Sequence, residues 1–354
     1  MSMTERRIRV GLIGFGLGGA SFHAPLIQAM WGMALTHVVT ANPDRQAQAR
    51  AAIPGVVVLS SVDALWDKAG DLDLVVISTP NRSHAPLALR ALEVGLAVVI
   101  DKPFALSADE AQQVIESARA RKLPLSAYHI RRWDSECLTL RTLMARNELG
   151  RILRFESRMD RWRPQPKGSW KERGVADEGG GLLYDIGSHL IDQALYLFGP
   201  VREVYAELDQ RRQGVESDDD VFVALTHENG VRAHLWASVL AADAGPRMRV
   251  MGDRGAFVKR FGDVQEAALR AGEQAGGPGW GEEPPERWGT LSDGQTQRAV
   301  KSEPGAYQTF YERMVRCLRD GAPPPVDPED AVRGLEIIEA ARRSAAERRV
   351  VPLD

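Results

Sequence analysis

Arg7-Ile8-Arg9-Val10-Gly11-Leu12-Ile13 is a short β-favouring run that ends directly on Gly14-Phe15-Gly16-Leu17-Gly18-Gly19, a G-x-G-x-x-G turn. Each glycine of the pattern has a task. Gly14 permits a tight turn, Gly16 lets backbone approach a pyrophosphate, and Gly19 allows the next helix to pack closely with its N-terminus towards the phosphates. Phe15 and Gly18 complete the turn and join the candidate cofactor contacts. An ordinary βα turn can look the same, so the context decides: a helix-like segment and then an apolar strand at 35–39 follow, as a dinucleotide-binding unit requires.

The end of that second strand should read the adenosine ribose, where an acidic residue about 20 positions beyond the glycines favours NAD. The stretch here is Thr40-Ala41-Asn42-Pro43-Asp44-Arg45. The expected carboxylate position holds Ala41 or Asn42, neither of which would repel a 2'-phosphate, and Arg45 is close enough to pair with one. This favours NADP over NAD and makes Thr40, Asn42 and Arg45 candidate cofactor contacts. Two other readings stay open: Asp44 as the ribose ligand in a register shifted by two, and Arg45 as the solvated start of a helix at 46–52.

Residues 72–78 and 97–100 are almost wholly apolar, as strands buried on both faces are. The first ends at Thr79-Pro80-Asn81, with His84 just beyond, and the second at Asp101-Lys102-Pro103. Strand carboxyl ends are where ligands bind in doubly wound sheets, so Thr79, Pro80, Asn81, His84, Asp101 and Lys102 are candidate cofactor contacts. A surface lysine in a turn is the plain alternative for Lys102. Ser107-Ala108-Asp109-Glu110 reads as a capped helix start. The strand–helix alternation stops near Tyr128. The expected architecture is therefore an α/β Rossmann domain with a parallel sheet over residues 1–127. An α+β domain with an open, mostly antiparallel sheet follows over 128–354, its C-terminal helix available to pack back on the first domain.

Beyond the boundary, Tyr128, His129 and Arg132 stand at the junction of the domains, a favoured place for small-molecule sites. Leu153, Phe155, Ser157 and Met159 alternate with charged residues, the period of a half-exposed strand. Short strands recur at 201–208, 221–226, 231–240, 247–251 and 256–260. Gly179-Gly180-Gly181 leads into Leu182, Ile186 and Leu190 at helical spacing, predicting a loop and a helix that covers one face of the sheet. On such a helix Asp185 and His189 lie one turn apart and share a face, pairing a carboxylate with the side chain best suited to proton transfer near neutrality. Taken alone, a wet helical face carrying two polar residues explains that spacing as well. The loop holding Arg163 and Trp170 mixes guanidinium and indole groups, a combination for a polyhydroxylated ligand or simply a surface loop. Residues 275–295, rich in Gly and Pro, read as a lid or a disordered tip. Helices close the chain at 307–319, with Tyr307, Phe310, Tyr311, Met314 and Leu318 on one stripe, and at 328–347.

The chain has 354 residues, 44% of them hydrophobic, enough for two cores, and its net charge of -3 carries no basic stripe for nucleic acid. No apolar run reaches the length of a membrane span and no signal peptide is evident, so a cytoplasmic protein is expected. Cys137 and Cys317 lack metal or redox spacing and read as reduced thiols.

These residues together resemble the Gfo/Idh/MocA family of nicotinamide-dependent oxidoreductases. The likeness rests on Gly14-x-Gly16-x-x-Gly19, Thr79-Pro80-Asn81 with His84, Asp101-Lys102-Pro103, Tyr128-His129, and Gly179-Gly180-Gly181 with Asp185 and His189, five motifs in the expected order. Within the family the chain is most similar to the NADP-dependent scyllo-inositol dehydrogenases, through Phe22-His23-Ala24-Pro25-Leu26, the segments 128–134 and 184–193, and 265–272. The resemblance implies a site between the two domains, with Lys102, Asp185 and His189 as catalytic residues. It implies a cyclic polyol or sugar as substrate, contacted by Tyr128, His129, Arg132, Arg163, Trp170, Asp185 and His189, and NADP or NAD as cofactor, with no metal. A homodimer or homotetramer through the open sheet is expected. The chain departs from the family at Asp101, where Glu is usual, which implies a slightly altered contact near the nicotinamide ribose. Ile130 stands where close relatives tend to carry a polar residue, which bears on the substrate. The alternatives are an aldose dehydrogenase of the same family, a non-catalytic sugar or cofactor sensor, and a metal-dependent dehydrogenase using Asp185 and His189 as ligands.

Overall fold

The computed structural model describes residues 6–168, 172 and 178–353. The chain forms two compact units. One comprises Met1–Ile130, Gln265–Trp280 and Ala306–Val332; the other comprises Arg131–Val264, Gly281–Gly305 and Arg333–Asp354.

The first unit is built on six parallel strands: β1 (Ile8–Ile13), β2 (Met33–Val39), β3 (Val57–Leu59), β4 (Leu74–Ile77), β5 (Ala97–Ile100) and β6 (Leu125–Ala127). Their order, β3-β2-β1-β4-β5-β6, reverses direction between β1 and β4, the switch point at which doubly wound sheets bind ligands. Every residue of β4 and β5 is buried, which accounts for their unbroken apolar runs. Gly14, Ser78 and Asp101 follow β1, β4 and β5 directly, so three adjacent carboxyl ends bring the sequence motifs together.

The helix Gln308–Asp320 also belongs to this unit. Its apolar stripe, with Phe310, Tyr311 and Met314 buried, packs on the helix Ala24–Ala29, and the Phe310 ring meets Tyr128 edge-on at 4.8 Å. Farther on, the Ser126 hydroxyl donates to the Val326 carbonyl at 2.9 Å. The chain thus returns twice to the first unit, where the sequence reading places one boundary at 128.

The second unit holds nine strands: β7 (Ile152–Arg158), β8 (Val201–Asp209), β9 (Asp220–His227), β10 (Arg232–Ser238), β11 (Met248–Gly252), β12 (Ala256–Lys259), β13 (Gly289–Ser292), β14 (Gln297–Val300) and β15 (Val351–Pro352). They run in the order β14-β13-β12-β11-β7-β10-β9-β8-β15. Among the described residues of this sheet only β7 and β10 pair in parallel; the other neighbours are antiparallel. The helix Ser188–Phe198 covers β7 and β10, burying Leu190, Ile191, Ala194 and Phe198. The expected alternation does not hold in β7: Leu153 and Arg154 are both exposed, and Phe155, Glu156 and Ser157 are all buried, with Glu156 Oε2 3.5 Å from Arg158 Nη1.

Residues 275–295, read as a lid or a disordered tip, form an ordered segment anchored by buried side chains. Ala275 and Trp280 are buried in the first unit. In the second, Glu283 is clamped: Lys259 Nζ donates to its Oε2 at 2.6 Å, Ser302 Oγ to the same oxygen at 2.6 Å, and Ser135 Oγ to Oε1 at 2.7 Å. The segment then enters the sheet as β13. Among the described residues no helix is long and apolar enough to cross a membrane.

Candidate active site

The glycine turn is shaped by what surrounds it. Gly14 has φ 97°, and a Cβ there would overlap the Ser78 carbonyl. A Cβ on Gly19 would overlap the Gly14 carbonyl, so the helix start sits against the turn. At Gly16 the space is open; its nearest neighbour is the Arg45 guanidinium, with Nη1 3.8 Å from where a Cβ would stand. Phe15 is buried beneath. Close backbone approach at Gly16 beside a guanidinium fits a dinucleotide pyrophosphate and its neighbouring ribose. After Gly19 the chain makes a π-helical stretch, Gly19–His23, before the α-helix begins at Ala24.

The remaining cofactor candidates divide by what their side chains already do. Asn42 caps the helix Pro43–Ala52, its Oδ1 accepting from the Arg45 N–H at 3.0 Å. Thr40 is buried, its carbonyl accepting from Gln46 Nε2 at 2.8 Å. The Thr79 hydroxyl accepts from Ser83 Oγ at 2.8 Å, Pro80 accepts from the same hydroxyl through its carbonyl at 2.7 Å, and Asn81 is buried. His84 is not placed as a cofactor contact: it is 1% exposed, with Nδ1 2.7 Å from the Pro103 carbonyl and Nε2 2.9 Å from that of Thr79. Burial holds its pKa below the usual histidine value, against the pull of the Pro103 carbonyl and Asp101. His84 ties the loop after β4 to the loop carrying Lys102.

Asp101 turns into the fold. Its Oδ1 accepts from the Lys102 N–H at 2.8 Å, its Oδ2 accepts from Ser78 Oγ at 2.9 Å, and His23 Nε2 lies 3.5 Å from Oδ2. A Cβ on Gly18 would lie 2.8 Å from that same oxygen. Burial alone would raise the carboxyl's pKa. The His23 contact, with the charges of His23, Lys102 and His84, outweighs burial and holds it below the ordinary carboxylate range. His23 is fully buried, with Nδ1 2.7 Å from the Tyr311 hydroxyl and its ring 3.9 Å from that of Tyr128. The buried Tyr128 hydroxyl has no hydrogen-bond partner among the described residues, and burial raises its pKa well above the usual tyrosine value. Lys102 is half-buried.

Local spacing marks neither His23 nor Ser78: His23 lies in the segment Phe22 to Leu26 and Ser78 at a strand end, and nothing in the sequence pairs either residue with Asp101.

In the second unit the glycine-led helix differs from the expected one. Leu183–Gly187 is π-helical and the α-helix runs only from Ser188 to Phe198. Asp185 therefore sits in a wider turn than His189, and α-helical spacing does not describe the pair. Asp185 is half-buried, its N–H donating to the Gly181 carbonyl at 3.1 Å, and His189 is 7% exposed. His129, in the first unit, is also buried.

Arg132 is not an open substrate contact: its guanidinium donates to Asp192 from Nη2 at 2.6 Å and from Nε at 3.0 Å, and lies 4.7 Å from the Tyr196 ring centroid. Arg163 is exposed, its N–H donating to the Val239 carbonyl at 2.7 Å. Trp170 lies outside the described residues. Among the described residues no group of three His, Cys, Asp or Glu side chains is placed to hold a metal ion.

A parallel six-stranded sheet whose switch point carries a dinucleotide turn, joined to an α+β unit, defines an NAD(P)-binding oxidoreductase. Residues 8–129 match the oxidoreductase-family NAD-binding Rossmann fold and residues 141–353 the C-terminal alpha/beta domain of the same family. The chain belongs to the Gfo/Idh/MocA family. It is 37% identical over 343 residues to the oxidoreductase YdgJ of Escherichia coli, covering 96% of this chain and 97% of that one. It is 32% identical over 353 residues to IolW of Bacillus subtilis, a scyllo-inositol 2-dehydrogenase (NADP(+)), covering 98% and 96%. The solved structure of the oxidoreductase yvaA from Bacillus subtilis matches with a TM-score of 0.92 at 30% identity, covering 100% of both chains.

Proposed function

We propose that the chain is an NADP-dependent dehydrogenase of a cyclic polyol, scyllo-inositol or a close stereoisomer. The observation that carries this reading is a buried imidazole, His189, on the first α-helical turn after Asp185, in a chain whose dinucleotide turn is intact. The similarity to an NADP-dependent scyllo-inositol 2-dehydrogenase supports the substrate class.

A bound dinucleotide supplies the hydride acceptor. The turn Gly14 to Gly19 holds its phosphates, Arg45 its 2'-phosphate, and Thr79, Pro80 and Asn81 line the strand end beside it. His189 takes the proton of the reacting hydroxyl on its imidazole, and the Lys102 ammonium stabilises the negative charge developing on that oxygen. Asp185 holds the substrate and orients His189; in the reducing direction the proton moves the other way. A second copy of the chain is expected on the half-exposed face of the second sheet, where the Arg158 guanidinium covers the Trp236 ring at 3.8 Å.

General acid–base participation is worth roughly 10²–10⁴-fold in rate. His189→Ala should lower kcat by that factor with NADP affinity unchanged. Initial rates with NAD and NADP against scyllo-inositol, myo-inositol and common aldoses test the substrate. Wild-type turnover in the variant, or a clear preference for an aldose, would overturn the reading.

A further inference from the structure

A helix start leaves N–H groups without partners inside the helix. In the helix that carries Asp185 and His189 those groups are met from far along the chain, by Asp218 in the loop between β8 and β9. The Asp218 carbonyl accepts from the Leu182 N–H at 2.9 Å, and its Oδ2 accepts from the Leu183 N–H at 2.7 Å. Gly181 has φ 90°, and a Cβ there would overlap Asp218 Oδ1. Backbone, carboxylate and glycine therefore interlock at the first turn, and the last of the three glycines has a defined purpose: it makes room for this carboxylate.

We propose that Asp218 is a positioning residue for proton transfer, fixing by the shape and reach of its side chain where the helix begins and hence where His189 stands. The inference rests on the reading of His189 as the acid/base. Burial pushes the Asp218 carboxyl up to about 6, against the pull of the Leu183 N–H. The negative charge is thus costly to keep, while a hydrogen-bond acceptor of this length is what the turn needs. Asparagine has that length and an acceptor oxygen. Glutamate keeps the charge and is one methylene too long for the space beside Gly181. Alanine keeps the backbone carbonyl but offers no side-chain acceptor to the Leu183 N–H. A displacement on the order of 1 Å at a reacting group costs up to about 10²-fold in rate.

The test compares Asp218→Asn, Asp218→Glu and Asp218→Ala with His189→Ala, using scyllo-inositol oxidation by NADP and hydrogen exchange of the Leu182 and Leu183 amides in the protein without cofactor. The Asn variant should keep kcat within about threefold. The Glu and Ala variants should lose roughly 10–100-fold in kcat with KM for NADP unchanged, and their two amides should exchange faster than in the wild type. Wild-type turnover in the Glu or Ala variant overturns the proposal, as does an Asn variant as impaired as Ala, or a loss shared equally between kcat and KM for NADP. Should the Ala variant not fold, the Asn and Glu pair decides the matter. His189→Ala separates the two inferences: normal turnover there sinks the functional reading, whereas a defect there with normal turnover in Asp218→Glu sinks this one alone.

Discussion

Asp101 shows how a carboxylate at a strand end is fixed by partners from other segments. Its carboxylate accepts from the Lys102 N–H and the Ser78 hydroxyl and lies 3.5 Å from His23 Nε2, in space that Gly18 leaves by having no Cβ. These contacts lie within the first unit, on the residue adjacent to Lys102. The pKa direction carries a stability consequence. A carboxyl depressed in the folded state adds stability that is fully present above its unfolded value of 3.8 and is lost as pH falls below it. Asp101→Asn should therefore cost roughly 1–3 kcal/mol at pH 7, with the gap to wild type constant above about pH 5 and closing as the pH drops below the unfolded carboxylate value. Denaturant unfolding of both proteins from pH 7 to pH 3 measures this, and a gap that widens in acid would refute the sign. At this scale the sequence names chemically apt residues and misses their partners. His84 and Arg132 were apt as ligands, yet one faces the Pro103 and Thr79 carbonyls and the other grips Asp192. Both pairings are made by tertiary structure and leave no trace in local spacing.

Among the elements, the two helices that deliver site residues begin alike. Gly19–His23 and Leu183–Gly187 are both π-helical before the α-helix proper, a feature frequent at functional sites. The apolar periodicity around both starts reads as ordinary helix, because the wide turn changes hydrogen bonding more than residue type. The long strands were legible from their apolar or alternating runs. β3, β13 and β14 were not: they lack the long apolar or alternating context of the others, and Gln297-Arg298-Ala299-Val300 has no β signature. The Gly- and Pro-rich composition of 275–295 likewise hid an anchored segment, since what fixes it is a buried lysine from β12. Lys259 and Glu283 are both fully buried, and removing one partner strands the other's charge. Lys259→Met should destabilise the protein by roughly 3–5 kcal/mol, and Lys259→Met combined with Glu283→Gln by distinctly less. Equilibrium unfolding of both variants checks this; a loss within about 0.5 kcal/mol for the single variant, typical of a surface change, would mean that the segment is loosely held.

At the level of the whole molecule, the chain separates its tasks between two units. The residues proposed to hold the cofactor lie in the first: the glycine turn, Arg45 and the strand ends after β4 and β5 all fall within Met1–Ile130. The helix carrying His189, proposed for proton transfer, lies in the second. The Rossmann half was legible because a dinucleotide turn fixes backbone shape and so constrains sequence at fixed spacing; the substrate half was legible chiefly through family motifs, since its side chains are assembled from distant loops. Cofactor preference should accordingly respond to the first unit alone. Asn42 is used as a helix cap, and the Arg45 guanidinium stands beside Gly16. A charge-assisted hydrogen bond is worth about 1.5–3 kcal/mol, or roughly 10–150-fold in affinity. Arg45→Ala should raise KM for NADP by about that factor, leave KM for NAD within a few-fold, and leave KM for the polyol unchanged. Steady-state kinetics with each dinucleotide at saturating polyol, and with polyol varied at saturating dinucleotide, measure all three. An equal loss with NAD and NADP would place Arg45 at the pyrophosphate rather than the 2'-phosphate. A selective loss of NAD affinity in Asp44→Ala would assign the ribose to Asp44 and make NAD the working cofactor.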